Sequence, residues 1–134
     1  MKVGKHRKEA SDMGQRIQEL MIEGYCCSQI IMILGLEKME KTNPDLVKSM
    51  AGLCKGMWLG KTCGTLSAAF CLVTLIDPVK AQTTYIPELT RWFLDTFDST
   101  GCDELVHDDP AIIASLCPEI IRATFDKISE LVEW

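Results

Sequence analysis

An all-α fold, a single-domain bundle of about five or six helices, is what this sequence predicts. Three observations carry that reading. Apolar residues recur at helical spacing over most of the chain, no segment alternates as a half-buried strand would, and glycine and proline signals fall between the periodic runs. A chain of 134 residues, 47% of them hydrophobic, is long enough for one core and too short for two.

The first helix is predicted from about Glu9 to Ile22, where Met13, Ile17, Leu20 and Met21 fall on one face, and Gly24 marks its end. Residues 1–8, with Lys2, Lys5, His6, Arg7 and Lys8, read as a frayed basic arm. A second helix is expected from near Cys26 to Leu34, apolar around much of its circumference and closed by Gly35. Thr42-Asn43-Pro44-Asp45 supplies a cap followed by proline at the first helical position and opens a third helix toward Ala51. Gly52, Gly56 and Gly60 make the next nine residues an ordered loop.

Cys63 to Ile76 then reads as a buried helix whose small residues Gly64, Ser67, Ala68 and Ala69 admit a close neighbour. A fifth helix over about Tyr85 to Phe97 tolerates Pro87 in its first turn and points Ile86, Leu89, Phe93 and Leu94 inward. Cys102 to Val106 is a short turn, Pro110-Ala111 opens another, and Pro118 starts a terminal helix carrying Ile121, Phe125, Ile128 and Val132.

Charge excludes some functions. The net charge of -5 lacks the basic face that phosphate neutralisation requires, so nucleic acid is not an expected partner. Residues 77–134 hold four basic against twelve acidic side chains, which makes the C-terminal part an acidic surface. The longest apolar run, 14 residues, falls short of the roughly 20 that span a bilayer, so no membrane insertion is expected. Without an apolar segment behind the first residues, the reading is cytoplasmic, where thiols are expected reduced, metal-bound or transiently oxidised. Homo-oligomer formation is left open.

The seven cysteines, at 26, 27, 54, 63, 71, 102 and 117, are the residues that can carry chemistry. Cys27, Cys63 and Cys117 each fall where a helix is predicted to begin. Unpaired N–H groups and the positive end of the dipole would there lower the thiol pKa. Cys71, between Phe70 and Leu72, reads as a packed core residue, and Cys26 is adjacent to Cys27 but too close along the chain to pair with it. No C-x-x-C, C-x-x-C-H, P-loop or dinucleotide fingerprint is present. His107-Asp108-Asp109 reads as an exposed loop, with a hard-metal corner as the alternative. Gln29, beyond Cys27, is either a partner for a thiolate or a polar tie between helices. Trp58 either covers the Gly-rich loop or anchors a core or interface.

Gly24-Tyr25-Cys26-Cys27-Ser28-Gln29, a Gly-rich loop leading to Thr62-Cys63-Gly64, then Cys102 and Cys117 give the chain a resemblance to the small C-GCAxxG-C-C proteins, described as redox-active, over roughly Glu19 to Leu131. The resemblance implies that the four family cysteines are Cys27, Cys63, Cys102 and Cys117. The motif itself stands here as Cys63-Gly64-Thr65-Leu66-Ser67-Ala68, and the family's triple-glycine loop as Cys54-Lys55-Gly56, which adds a thiol.

Two chemistries and one alternative to chemistry follow. The four cysteines form a thiol redox site needing no cofactor, with Cys54 as a resolving thiol and Gln29 and Gly64 beside it, acting on a redox partner or small molecule. Alternatively, the same sulfurs hold zinc or an iron–sulfur cluster. Otherwise the thiols are packing residues of a non-catalytic interaction module. Either chemistry needs the helices that begin at Cys27 and Cys63 to run parallel, so that both starts lie at one end of the bundle.

Overall fold

The computed structural model describes residues 2–134, with side chains from Asp12 onward. The backbone of residues 2–8, expected as a frayed arm ahead of a helix starting near Glu9, forms the first turns of that helix instead, while its side chains, His6 included, lie outside those described. Seven full helices form: α1 (Lys2–Ile22), α2 (Cys27–Lys38), α3 (Pro44–Met50), α4 (Gly64–Ile76), α6 (Ile86–Phe97), α7 (Cys102–Val106) and α8 (Pro110–Leu131). A three-residue turn, α5 (Pro78–Lys80), runs through a π turn over Ala81–Tyr85 into α6. No β-strand occurs among the described residues, and the chain is all-α.

The centre of the bundle is the pair α2 and α4, with α8 laid across both and α1 against α8. Ile30, Ile31 and Met32 of α2, Leu66, Ala68, Ala69, Leu72 and Val73 of α4, and Ile120, Ile121 and Ile128 of α8 are buried together. Leu89 and Phe93 bring α6 onto this core, where Phe93 and Phe97 pack with ring centroids 4.8 Å apart.

Gly35 does not end α2. The helix continues to Lys38, and Gly35 is buried where a side chain would overlap Leu72 of α4. Its role is close approach between helices, which a reading of local propensity takes for a stop signal. Eight residues earlier on each helix, Cys27 faces Gly64. The equal offset means that α2 and α4 run parallel, in register, over two turns.

Two further boundaries differ from the sequence reading. Pro118 lies inside α8 rather than at the start of a separate helix, so the segment that opens at Pro110 under an Asp109 cap runs unbroken to Leu131. The proline removes one N–H from the ladder, but Ile120, Ile121 and Phe125 on the same helix are buried, and tertiary packing outweighs that loss. Leu94, expected inward, is 43% exposed. The Gly-rich loop divides into a 3-10 turn, Ala51–Leu53, and a tight turn, Gly56–Gly60; Lys55 just before the second turn and Met57 and Trp58 within it take left-handed backbone.

Candidate functional site

Three structural devices bring four sulfurs together. The first is the parallel α2–α4 pair, which sets Cys27, the first residue of α2, beside Cys63, the residue that caps α4. A Cβ on Gly64 would stand 2.6 Å from the Leu53 carbonyl oxygen and 3.0 Å from Cys27 Sγ, so only glycine fits between the two helix starts. The second device is an isolated antiparallel bridge between Thr62 and Gly101. Cys63 N–H donates to Thr100 O at 2.7 Å and Cys102 N–H donates to Lys61 O at 2.6 Å, which ties the start of α7 to the start of α4. The third is α8, which presents Cys117 and Ile120 to the same place.

Cys27, Cys63, Cys102 and Cys117 line one enclosed cavity of about 20 Å³, completed by Gly64, Thr65, Leu105, Val106 and Ile120. That volume holds roughly one water molecule. A larger open groove of about 450 Å³ between α1, α2 and α3, lined by Leu20, Tyr25, Gln29 and Val47 among others, has no cysteine on its walls.

The electrostatics differ from the sequence expectation. Cys27, Cys63 and Cys102 stand at helix starts, but Cys117 is inside α8 and gains nothing from a helix terminus. All four thiols titrate above the ordinary 9.0, and burial, which penalises the thiolate, is the largest cause at each. Cys63 is pushed up to about 11 by burial and then by the neighbouring Cys27, and Cys117 to about 12 by burial and then by the other three sulfurs. Cys27 has the most support for a negative charge. The Thr65 hydroxyl and the backbone N–H groups of Ser28, Lys55 and Thr65 all face its sulfur and pull against the rise that burial causes. Cys102 has the opposite setting, since the Asp103 and Asp108 carboxylates add to the effect of burial and of Cys27.

The remaining cysteines fall elsewhere. Cys71 is exposed on α4, not packed in the core as its apolar neighbours suggested. Cys26 and Cys54 are joined by a disulfide across 28 residues, with a Cα–Cα span of 6.2 Å. Cys54 is therefore a bonded partner of Cys26 rather than a free thiol. Sequence reasoning missed the pairing because nothing local marks it; the loop after α3 returns to the α2 cap only once the fold is made.

Gln29 serves as a tie between helices, not as a ligand of the Cys27 sulfur. Its Oε1 accepts from Cys26 N–H at 3.2 Å and its Nε2 donates to Val47 O at 3.2 Å, which caps α2 and fastens it to α3. Trp58 is 61% exposed, donates its indole N–H to Ala51 O and carries Lys55 Nζ over its ring, so it staples the loop from outside. His107 and Asp108 form an exposed left-handed turn after α7. Among the described residues no group of three or more His, Cys, Asp or Glu side chains is disposed to hold a metal ion. No helix among the described residues is long and apolar enough to cross a membrane.

The family described as "Putative redox-active protein (C_GCAxxG_C_C)" matches residues 25–131, most of the chain and all four cavity cysteines. The chain belongs to this family. No curated protein and no solved structure matches it. Within the family pattern, the cysteine-glycine step at Cys63-Gly64 has a steric reason here. The cysteine caps α4, and the glycine lets the Cys27 sulfur and the Leu53 carbonyl sit against that cap.

Proposed function

We propose that this protein is a thiol–disulfide redox protein whose working sulfurs are those of Cys27, Cys63, Cys102 and Cys117. The supporting observation is their convergence on one cavity of about 20 Å³. Cys27 is assigned as the nucleophile, because the Thr65 hydroxyl and the backbone N–H groups of Ser28, Lys55 and Thr65 work against the rise that burial causes at its sulfur, and it adjoins Cys63 in the cavity. It attacks an oxidised disulfide substrate, one sulfur of which departs as a thiol after taking a proton. Cys63 then displaces the second sulfur from Cys27, leaving a Cys27–Cys63 disulfide and a fully reduced product. Two electrons pass from the chain to the substrate. Cys102 and Cys117 complete the set: by two exchanges they return Cys27 and Cys63 to the dithiol state and become a Cys102–Cys117 disulfide themselves, which an external thiol reductant then reduces at the cost of its own oxidation to a disulfide.

Differential alkylation tests this reading. Native protein is poised in glutathione buffers of graded potential, labelled with one reagent, then reduced and labelled with a second. Cys27, Cys63, Cys102 and Cys117 should change label over the titration while Cys71 follows only its own exposure. Four cavity cysteines that stay in one state across the whole range would remove the redox function.

A further inference from the structure

Two sulfurs outside the family's four are already bonded to each other, and they adjoin the cavity. Cys26 directly precedes Cys27. The N–H of Lys55, the residue after Cys54, faces the Cys27 sulfur. Ser28 Oγ, from the residue after Cys27, is 2.9 Å from Cys54 Sγ. The point where Gly64 lacks a Cβ is 3.0 Å from Cys27 Sγ and 3.3 Å from Cys54 Cα, so backbone rather than a third side chain is what borders Cys27 on that side. Cys54 itself is extended, at φ -64 and ψ 150, between the 3-10 turn and left-handed Lys55, where a change of its side-chain rotamer breaks no helix.

We propose that Cys26–Cys54 is a second redox couple of this chain, in thiol–disulfide exchange with Cys27 and Cys63. In the first step the Cys27 thiolate attacks Cys54 Sγ. A Cys27–Cys54 bond forms, the Cys26–Cys54 bond breaks, and Cys26 leaves as a thiolate that takes up the proton Cys27 lost. In the second step the Cys63 thiolate attacks Cys27 Sγ, a Cys27–Cys63 bond forms, and Cys54 leaves and takes the proton from Cys63. Two electrons have moved from the Cys27–Cys63 pair to the Cys26–Cys54 pair, with no outside oxidant. The proposal rests on Cys27 and Cys63 being a redox pair and adds a route out of the cavity. Cys63 is 7% exposed, whereas Cys26, like Cys27, is half-buried at the start of α2, so the exchange carries oxidising equivalents between the buried Cys63 and a less enclosed sulfur.

Disulfide mapping by mass spectrometry tests the exchange. Full-length protein carrying only the Cys26–Cys54 bond is held anaerobically without oxidant, quenched with acid and alkylated at intervals. The expected result is a Cys27–Cys63 linked peptide rising in step with alkylated Cys26 and Cys54, at a constant total of five free thiols. That signal should be lost in Cys27→Ser. A Cys26–Cys54 bond that remains the sole disulfide throughout would overturn the proposal. The Cys26→Ser/Cys54→Ser double variant, treated with one equivalent of diamide, separates the two readings. A Cys27–Cys63 bond there, with no exchange in the parent chain, defeats only the exchange; its absence in both defeats the redox pair as well.

Discussion

The bare Cα of Gly64 faces Cys27 Sγ, and a methyl group at that position would stand 3.0 Å from the sulfur and 2.6 Å from Leu53 O. Neither neighbour is the free end of a flexible chain. Gly64→Ala should therefore force the α4 cap away from α2 and cost about 1–3 kcal/mol of stability. Gly14→Ala, in α1, meets nothing within 4 Å among the described residues and should be neutral or stabilising. Chemical denaturation of the two variants beside the parent chain measures the difference.

Thiol reactivity should follow enclosure rather than position at helix starts. With its pKa pushed up to about 11, Cys63 carries about a hundredfold less thiolate at neutral pH than a thiol of ordinary pKa 9.0. Cys117, at about 12, carries less still. Alkylation kinetics followed residue by residue at pH 8 should find exposed Cys71 modified first and Cys63 and Cys117 last. Rapid modification of Cys117 would show that the sulfur is not held inside α8 against its three neighbours.

Alkaline pH should destabilise the fold. A thiol whose pKa is higher in the folded chain than in the unfolded one favours folding below pH 9, and that contribution disappears as pH climbs through the folded value. For Cys63 the window runs from about 9 to about 11. Unfolding free energy should fall across it by roughly 2–3 kcal/mol on account of this one group. Cys63→Ser, whose side chain does not titrate there, should show a shallower decline than the parent chain in denaturation curves taken at successive pH values.

Pro118→Ala should raise stability. The substitution restores an N–H inside α8 and removes a ring from the helix interior, a gain of about 1–3 kcal/mol. A thermal melt reads it, and an unchanged or lowered midpoint would mean that the proline's own packing against its neighbours matters more than the missing donor.

Met57→Gly tests the loop. Met57 and Trp58 are consecutive non-glycine residues at φ 61, a conformation that costs L side chains roughly 1 kcal/mol each. Glycine at Met57 should recover about that amount, set against the added entropy of its unfolded chain. Equilibrium unfolding of the variant beside the parent chain measures the balance.

What could be read from the sequence was whatever depends on short-range periodicity and capping. The Asn43-Pro44 start of α3, the stop at Asp77-Pro78 and the inward face of Leu89 and Phe93 follow from residues within a turn or two of one another. Gly35 and Pro118 misled because each has two meanings. Local propensity takes both as helix ends, while Leu72 packing on Gly35, and the buried residues of α8 around Pro118, make both helix interiors. The membership of the site could be named from the order of its cysteines. Its acidity could not, since burial is the largest cause of each shift and burial belongs to the whole fold. The Cys26–Cys54 bond was out of reach for the same reason.

The parallel course of α2 and α4 also sets when the cavity can exist. Parallel neighbours cannot be joined by a tight hairpin, so Cys27 waits for a crossover of 36 residues before Cys63 arrives, and for 90 before Cys117 does. Closing loops of that length is an entropic expense met late in folding, after the local helices have formed. On the ribosome, Cys26 and Cys27 emerge first and stand exposed while the sulfurs that will shelter them are still untranslated.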